Sequence, residues 1–239
     1  MNDLKRPDLG ELVARLTSDD LDRRERGRLL GGVAKALSTG ARAATLSGKR
    51  LADLIIDDVA PRLPVRDLLT LRDHHHGLSG DDLAAALIRT ASVVTAGIGG
   101  AAGALAAVEV AAPPTLLAAP VQLAAETLAV VAVELKLGAE LHVVYRKAPT
   151  GTRRQLALAY LSSWAGKRGL DVTTGGPSLS DVLSTAARQQ VRQRVVRRFR
   201  RNITSLAPFL AGAVAGAELN RRETRRLGEA VQGDLRARR

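Results

Sequence analysis

Few residues in this 239-residue chain combine a reactive type with a spacing that would let them react. The run Gly97-Ile98-Gly99-Gly100-Ala101-Ala102 fits G-x-G-x-x-A and follows the β-branched Val93-Val94-Thr95, which invites reading as a dinucleotide-binding turn. That chemistry also needs an acid about 20 residues further on, after a second strand, to hold the ribose. The corresponding stretch from Pro113 to Gln122 supplies neither. No NAD, ATP or other cofactor is therefore expected. His74, His75 and His76 are consecutive. Adjacent side chains on a helix diverge by about 100°, so three in a row cannot converge on a metal ion. Asp73 and the distant His142 could supplement one of the histidines, but the sequence gives no reason to pair them, and Glu126 and Glu134, eight residues apart on one helix, are a poor setting for a carboxylate pair. G-x-S-x-G, H-E-x-x-H and a Walker lysine loop are all missing. Without cysteine there is no thiol nucleophile, disulfide or cysteine-ligated metal. No catalytic residue and no metal ligand is assigned.

What remains is charge. The net charge is +12, and from Ala186 onward 14 Arg face four acids. A basic C-terminal quarter suits an anionic partner: phospholipid, nucleic acid or an acidic protein face. On the helix expected to end near Asn202, Val191, Val195, Val196 and Phe199 make one face. Arg194, Arg197, Arg198, Arg200 and Arg201 are expected to fall opposite it, pointing away from the core. In the last helix Ala217, Thr224, Leu227, Val231 and Leu235 form a seam with Asn220 inside it, and Arg222, Arg225 and Arg226 face outward. Such surfaces can lie against acidic headgroups or follow a phosphate backbone. Only Phe199 interleaves with the arginines, which gives base stacking little support. The plain alternative is a solvated, arginine-rich surface.

The elements that must carry these groups read as helices. Tyr145, Tyr160, Trp164, Phe199 and Phe209 are the whole aromatic supply, and apolar residues make up 46% of the chain. A core of Ala, Leu and Val without alternating runs favours packed helices over a sandwich. Expected helices run from a Ser18 cap through Leu37, over Leu51–Val59 up to Pro61, from Val65 to His74, from a Ser79 cap to Val110, from Thr115 to about Tyr145, over Arg153–Trp164, over Leu179–Asn202 and from Ala207 to the C-terminus. Leu156, Tyr160 and Trp164 share one row, and Asp171–Pro177 is a loop. Between Ala91 and Ala125 the one charge is Glu109. This reads first as a helical hairpin buried in a soluble bundle, with insertion into lipid as the competing reading. Gly99/Gly103 and Gly212/Gly216 each form GxxxG, which lets helix backbones approach closely in either setting.

The run Leu206-Ala207-Pro208-Phe209-Leu210-Ala211-Gly212-Ala213-Val214-Ala215-Gly216-Ala217-Glu218-Leu219-Asn220, leading into a charged helix, resembles the ending of EcsC family proteins. The Gly97–Gly103 patch, a Pro-containing connection and a long apolar helix with Gln122 that ends in Leu141-His142-Val143-Val144-Tyr145 agree with it. Arg146 stands where the family usually has a Gly after the Tyr, and the acid often found before the long helix is missing at Pro113-Pro114. The resemblance covers roughly residues 80–235 and implies a bacterial protein of a family named for a transporter-operon neighbour, with no catalytic residues to carry over. The expectation is an all-α multi-helix bundle with a central Ala/Gly-rich apolar hairpin, residues 1–78 packing on a core of 79–239. With no secretory leader visible, it is expected in the cytoplasm, peripheral or integral to the inner membrane. Its partner is expected to be an anionic membrane surface or a transporter-related membrane protein, or a second copy of itself. The alternative is a nucleic-acid binder using the same C-terminal arginines, and the least favoured is an enzyme built on Glu126, Glu134 and His142.

Overall fold

A helix that is apolar on all sides has to be surrounded, and the segment Ala119–Val144 (α6) is surrounded. The computed structural model describes residues 8–38, 47–110, 119–166, 185–204 and 213–237, of which 103–110, 119, 185–187, 201–204 and 213 are described by their backbone alone. Among these residues every regular element is helical: α1 Leu9–Leu16, α2 Arg23–Ser38, α3 Gly48–Leu54, α4 Leu68–His74, α5 Gly80–Val110, α6, α7 Arg153–Gly166, α8 Thr185–Thr204 and α9 Ala213–Ala237. The protein is an all-α bundle. From Gln122 to Val144 nearly every α6 side chain is buried, against α1, α2, α5, α7, α8 and α9.

The short α1 had no counterpart among the expected helices. Leu9, Leu12, Val13 and Leu16 fill one helical face, and the Asp8 carboxylate caps it by accepting from the Gly10 N–H at 3.3 Å. The next helix starts later than a Ser18 cap would place it: Asp22 accepts from the Glu25 N–H at 2.7 Å, and α2 begins at Arg23. At Pro61 the chain leaves the helix through a π turn, Ile55–Val59, and a 3-10 turn, Ala60–Arg62. Ser79 stands at the cap position of α5, its carbonyl accepting the first helical bond from the Leu83 N–H at 3.4 Å. The Pro113-Pro114 connection, the Asp171–Pro177 loop and Gly212 lie outside the described residues.

The most extensive helix pairing joins α5 to α9, antiparallel. Asp81 meets Arg236, Ile88 meets Gly228, the Thr95 hydroxyl reaches the Asn220 carbonyl at 3.4 Å, and Gly99 meets Gly216. Small residues permit this approach. A Cβ on Gly99 would stand 2.7 Å from Asn220 Nδ2 and 2.8 Å from the Gly216 carbonyl oxygen, while one on Gly216 would come no nearer than 3.6 Å to the described residues, at Gly99 O. Gly99, Gly216 and Asn220 therefore form one contact. The surroundings of Gly103 are not described.

At the end of α6 the Lys147 N–H returns to the His142 carbonyl at 2.8 Å and the Arg146 N–H to Val143 at 3.1 Å. This is a Schellman stop with Arg146 in the left-handed region, φ 55°. An L side chain there costs about 1–2 kcal/mol, which glycine avoids.

Two predictions follow from these geometries. Gly99→Ala should destabilise by about 1–3 kcal/mol, the overpacking range, while Gly216→Ala should leave the melting temperature nearly unchanged; equal effects on thermal denaturation would contradict the asymmetric contact. Arg146→Gly should raise stability by about 1 kcal/mol, read from the urea midpoint at constant m-value.

Candidate functional site

A carboxylate inside an apolar helix needs partners from neighbouring helices. Glu134, 1% exposed at the middle of α6, has three groups directed at it from three helices. Arg198 Nη1 of α8 donates to both carboxylate oxygens at 2.9 and 3.0 Å, Trp164 Nε1 of α7 donates at 2.8 Å, and the Thr224 hydroxyl of α9 donates at 3.3 Å. Burial by itself would raise this carboxyl. The Arg198 charge and the Trp164 N–H overcome that and hold it below the ordinary carboxylate value. Arg194, one turn before Arg198, lies over the Trp164 ring with its guanidinium carbon 4.2 Å from the centroid, and burial pushes it down to about 10. Two turns earlier on α6, Glu126 accepts from Asn220 Nδ2 at 2.7 Å. Its burial dominates and raises its carboxyl.

The placement of the arginines corrects the sequence expectation. Arg198 does not point away from the core; it is buried because Glu134 is, and Arg194 is drawn inward by Trp164. Arg222 pairs with Glu218 and Arg225 with Glu229 along α9 itself. Arg197, Arg200 and Arg226 are exposed, and Arg197 and Arg226 have no ion-pair partner among the described residues. The side chain of Arg201 is not described.

A second buried charge cluster, which sequence spacing did not reveal, ties the N-terminal elements to α6. Arg66 grips Glu140 with Nε and Nη2, both at 2.8 Å, and reaches Asp19 with Nη1 at 2.8 Å. Its guanidinium is held firmly protonated by that bond to Glu140 despite burial. Lys136, one turn before Glu140, donates to the Thr17 carbonyl at 3.2 Å. Arg26 is buried without a carboxylate, donating to the carbonyls of Leu16 and Leu21 at 3.4 and 3.1 Å. It lies so close to α5 that a Cβ on Gly97 would stand 3.2 Å from its Nε. The only available signal was i, i+4 spacing of Lys136 and Glu140 inside an otherwise apolar helix.

Two adjoining clefts open beside this cluster. One, about 620 Å³, runs between the 60–67 segment, α6 and α7, and its walls include Leu63, Val65, Leu135, Ala139, Leu156 and Tyr160. Leu156 and Tyr160 are thus half-buried cavity walls, while Trp164 from the same expected row is buried. The Tyr160 ring packs against buried His142 at 5.6 Å, and burial pushes its hydroxyl up to about 12. The other cleft, about 710 Å³, is lined by Arg15, Arg62, Arg66, Lys136 and Arg153 together with Glu11, Asp19 and Asp20. Both share Arg62, Pro64, Arg66 and Arg153.

The Thr224 hydroxyl that meets the Glu134 carboxylate is fully buried, away from any cleft described above. His142 Nδ1 is 2.6 Å from the Gly138 carbonyl and burial lowers its pKa. Its ring contact is Tyr160, and the groups bonded to Glu126 and Glu134 do not include it. Gly97–Ala102 lies within α5, where the backbone N–H groups serve the helix and form no phosphate cradle. His74 and His76 are exposed and His75 turns partly inward. Comparison of the chain with protein-family models, curated proteins and solved structures finds no match.

Arg198→Ala should cost about 3–5 kcal/mol, because it strands the Glu134 carboxylate in the interior. The pH dependence has a fixed sign. A depressed carboxyl contributes fully above the unfolded-state pKa of about 4.3 and loses that contribution as pH falls through its lower folded value. The acid limb of the urea-stability profile below about pH 4 should therefore be shallower in Glu134→Gln than in the wild type; parallel limbs would contradict the pairing.

Proposed function

We propose that the protein is a non-catalytic, EcsC-like bacterial protein that acts at the cytoplasmic face of the membrane, attaching to acidic phospholipid through one end of the α5–α9 pair. The observation that carries this reading is axial segregation on the exposed side of that pair. At the Gly99–Gly216 end, Val214 is 81% exposed and Leu219 40%, and Val93, 66% exposed, lies level with Arg222 where the arginines begin. The next turns toward the other end carry exposed Arg89, Arg222, Arg225 and Arg226. Apolar side chains ahead of an arginine band match the layering of acyl region and headgroup phosphates. Large exposed apolar side chains grouped at one end of a helix pair otherwise favour association or aggregation.

Supporting the family part of the reading, Arg146 adopts the left-handed conformation at the position where the EcsC pattern has Gly. The stretch Gly80–Ala102 is long and apolar enough to cross a membrane, yet 61% of its apolar window is buried in the protein, a pattern that core helices share. Attachment is therefore proposed as peripheral. A nucleic-acid role finds less support, since Phe199 is 4% exposed and Trp164 2%, leaving neither free to stack on bases.

Cosedimentation with vesicles of phosphatidylglycerol, compared with phosphatidylcholine, tests the proposal. Binding to the acidic vesicles alone, weakened by salt, is expected, because exposed charges are screened over about 8 Å at physiological ionic strength. Each basic group near an acidic leaflet contributes about 1 kcal/mol, so Arg222→Gln, Arg225→Gln and Arg226→Gln combined should reduce binding by about 100-fold. Val214→Asp with Leu219→Asp should abolish the salt-resistant remainder. Preference for duplex DNA over acidic vesicles at matched phosphate, or indifference to both, would overturn it.

A further inference from the structure

The two clefts beside α7 differ in the side chains that line them and adjoin at Arg62, Pro64, Arg66 and Arg153. We propose that they form a single binding site for a long-chain carboxylate, with the alkyl chain in the cavity walled by Leu63, Val65, Leu135, Ala139, Leu156 and Tyr160 and the carboxylate at Arg153.

The argument begins with the apolar half. Its volume of about 620 Å³ falls within the range of ligand sites, and its walls come from α6, α7 and the extended 63–67 segment. Tyr160 is braced by the His142 ring, so this wall is set before any ligand arrives. The polar half supplies cations, but most are already engaged. Arg66 is held by Glu140 and Asp19, Arg62 by Asp8 at 2.9 Å, Lys136 by the Thr17 carbonyl and Arg15 by Glu25 at 3.7 Å. Arg153 is exposed, lines both clefts and has no ion-pair partner among the described residues. A guanidinium without a carboxylate at the mouth of an apolar cavity fits a carboxylate head, which it can bind through two parallel N–H···O bonds.

The acids of the polar cleft refine the head group. Glu11, Asp19 and Asp20 line it too. They disfavour a dianionic phosphate while tolerating a monoanion paired with one arginine. The site shares no residue with the α5–α9 end, so this inference goes beyond the membrane reading and stands or falls without it.

The test is isothermal titration of the full chain with octanoate, decanoate and dodecanoate below their micellar concentrations, with dodecanol and dodecyltrimethylammonium as head-group controls. Saturable one-to-one binding of dodecanoate is expected. Affinity should rise about fourfold per added methylene, the equivalent of burying each CH₂. Dodecanol and the ammonium should bind at least tenfold more weakly. Arg153→Gln should reduce the dodecanoate preference over dodecanol to near unity while leaving phosphatidylglycerol vesicle binding unchanged. Leu156→Trp, a cavity-filling change on a half-buried position, should weaken dodecanoate more than octanoate while circular dichroism and the melting temperature stay at wild-type values. Absence of saturable binding, affinity independent of chain length, or an Arg153→Gln variant that still prefers the carboxylate would each overturn the proposal. Dodecyl phosphate binding more tightly than dodecanoate would overturn the assignment of the head group.

Discussion

The Glu134–Arg198 pair sets the constraint under which the rest of the bundle is arranged. A carboxylate 1% exposed at the centre of α6 is tolerable only if a cation and hydrogen-bond donors meet it there. Arg198 does so from α8, Trp164 from α7 and Thr224 from α9. Apolar Ala, Leu and Val faces could slide past one another by a turn at modest loss. The charge could not. An ion pair of this kind adds little net stability relative to an apolar replacement, so its consequence is positional: it allows one register among helices whose surfaces are otherwise alike.

The same logic recurs on the other side of α6. Arg66 and Lys136 bring Asp19, Thr17 and Glu140 together, fastening α1, its following turn and the 63–67 segment against the central helix. On the α5 side the device is different, because close approach replaces charge. Gly99 and Gly228 remove side chains where Gly216 and Ile88 come nearest, and the Asn220 amide fills the remaining space by bonding to Glu126. At the far end of that pair Asp81 joins Arg236 of α9 and the hydroxyl of Tyr145, the residue after α6. Charge locks and small-residue contacts thus divide the work of holding the chain around α6.

This division changes the meaning of the positive charge. Of the eight C-terminal arginines singled out by helical periodicity, Arg198 is internal, Arg194 is stacked on Trp164, and Arg222 and Arg225 are paired along their own helix. The positive surface left for a partner is narrower than the count implies: on α9, Arg226 is exposed without an ion-pair partner among the described residues, and Arg222 and Arg225 stay exposed beside their carboxylates. Elsewhere, Arg153 stands at the junction of the two clefts. Net charge remains a sound argument for an anionic partner. Which arginines meet that partner depends on which ones the fold has already engaged.

The all-helical class was legible in the sequence because it follows from local properties: few aromatics, no alternating runs, Pro and Gly punctuation, and an apolar stretch long enough to be a core helix. That Gly99 and Gly216 mark a close approach was legible too, since small residues at i, i+4 advertise one, but that they approach each other was not. The fate of Arg198 was not. Periodicity on α8 assigns it to the face opposite Val191, Val195 and Phe199, and only the arrival of α6 with Glu134, 64 residues away in the chain, makes that face an interior one. The Arg66–Glu140 bond spans 74 residues and likewise has no local signature. The clefts are also products of assembly, formed where α6, α7 and the 60–67 segment fail to fill the space between them. Hydrophobic pattern determines which helices form, because each helix reads its own neighbours along the chain. Tertiary structure decided which charges are buried, because a charge is stabilised by whatever lies across from it.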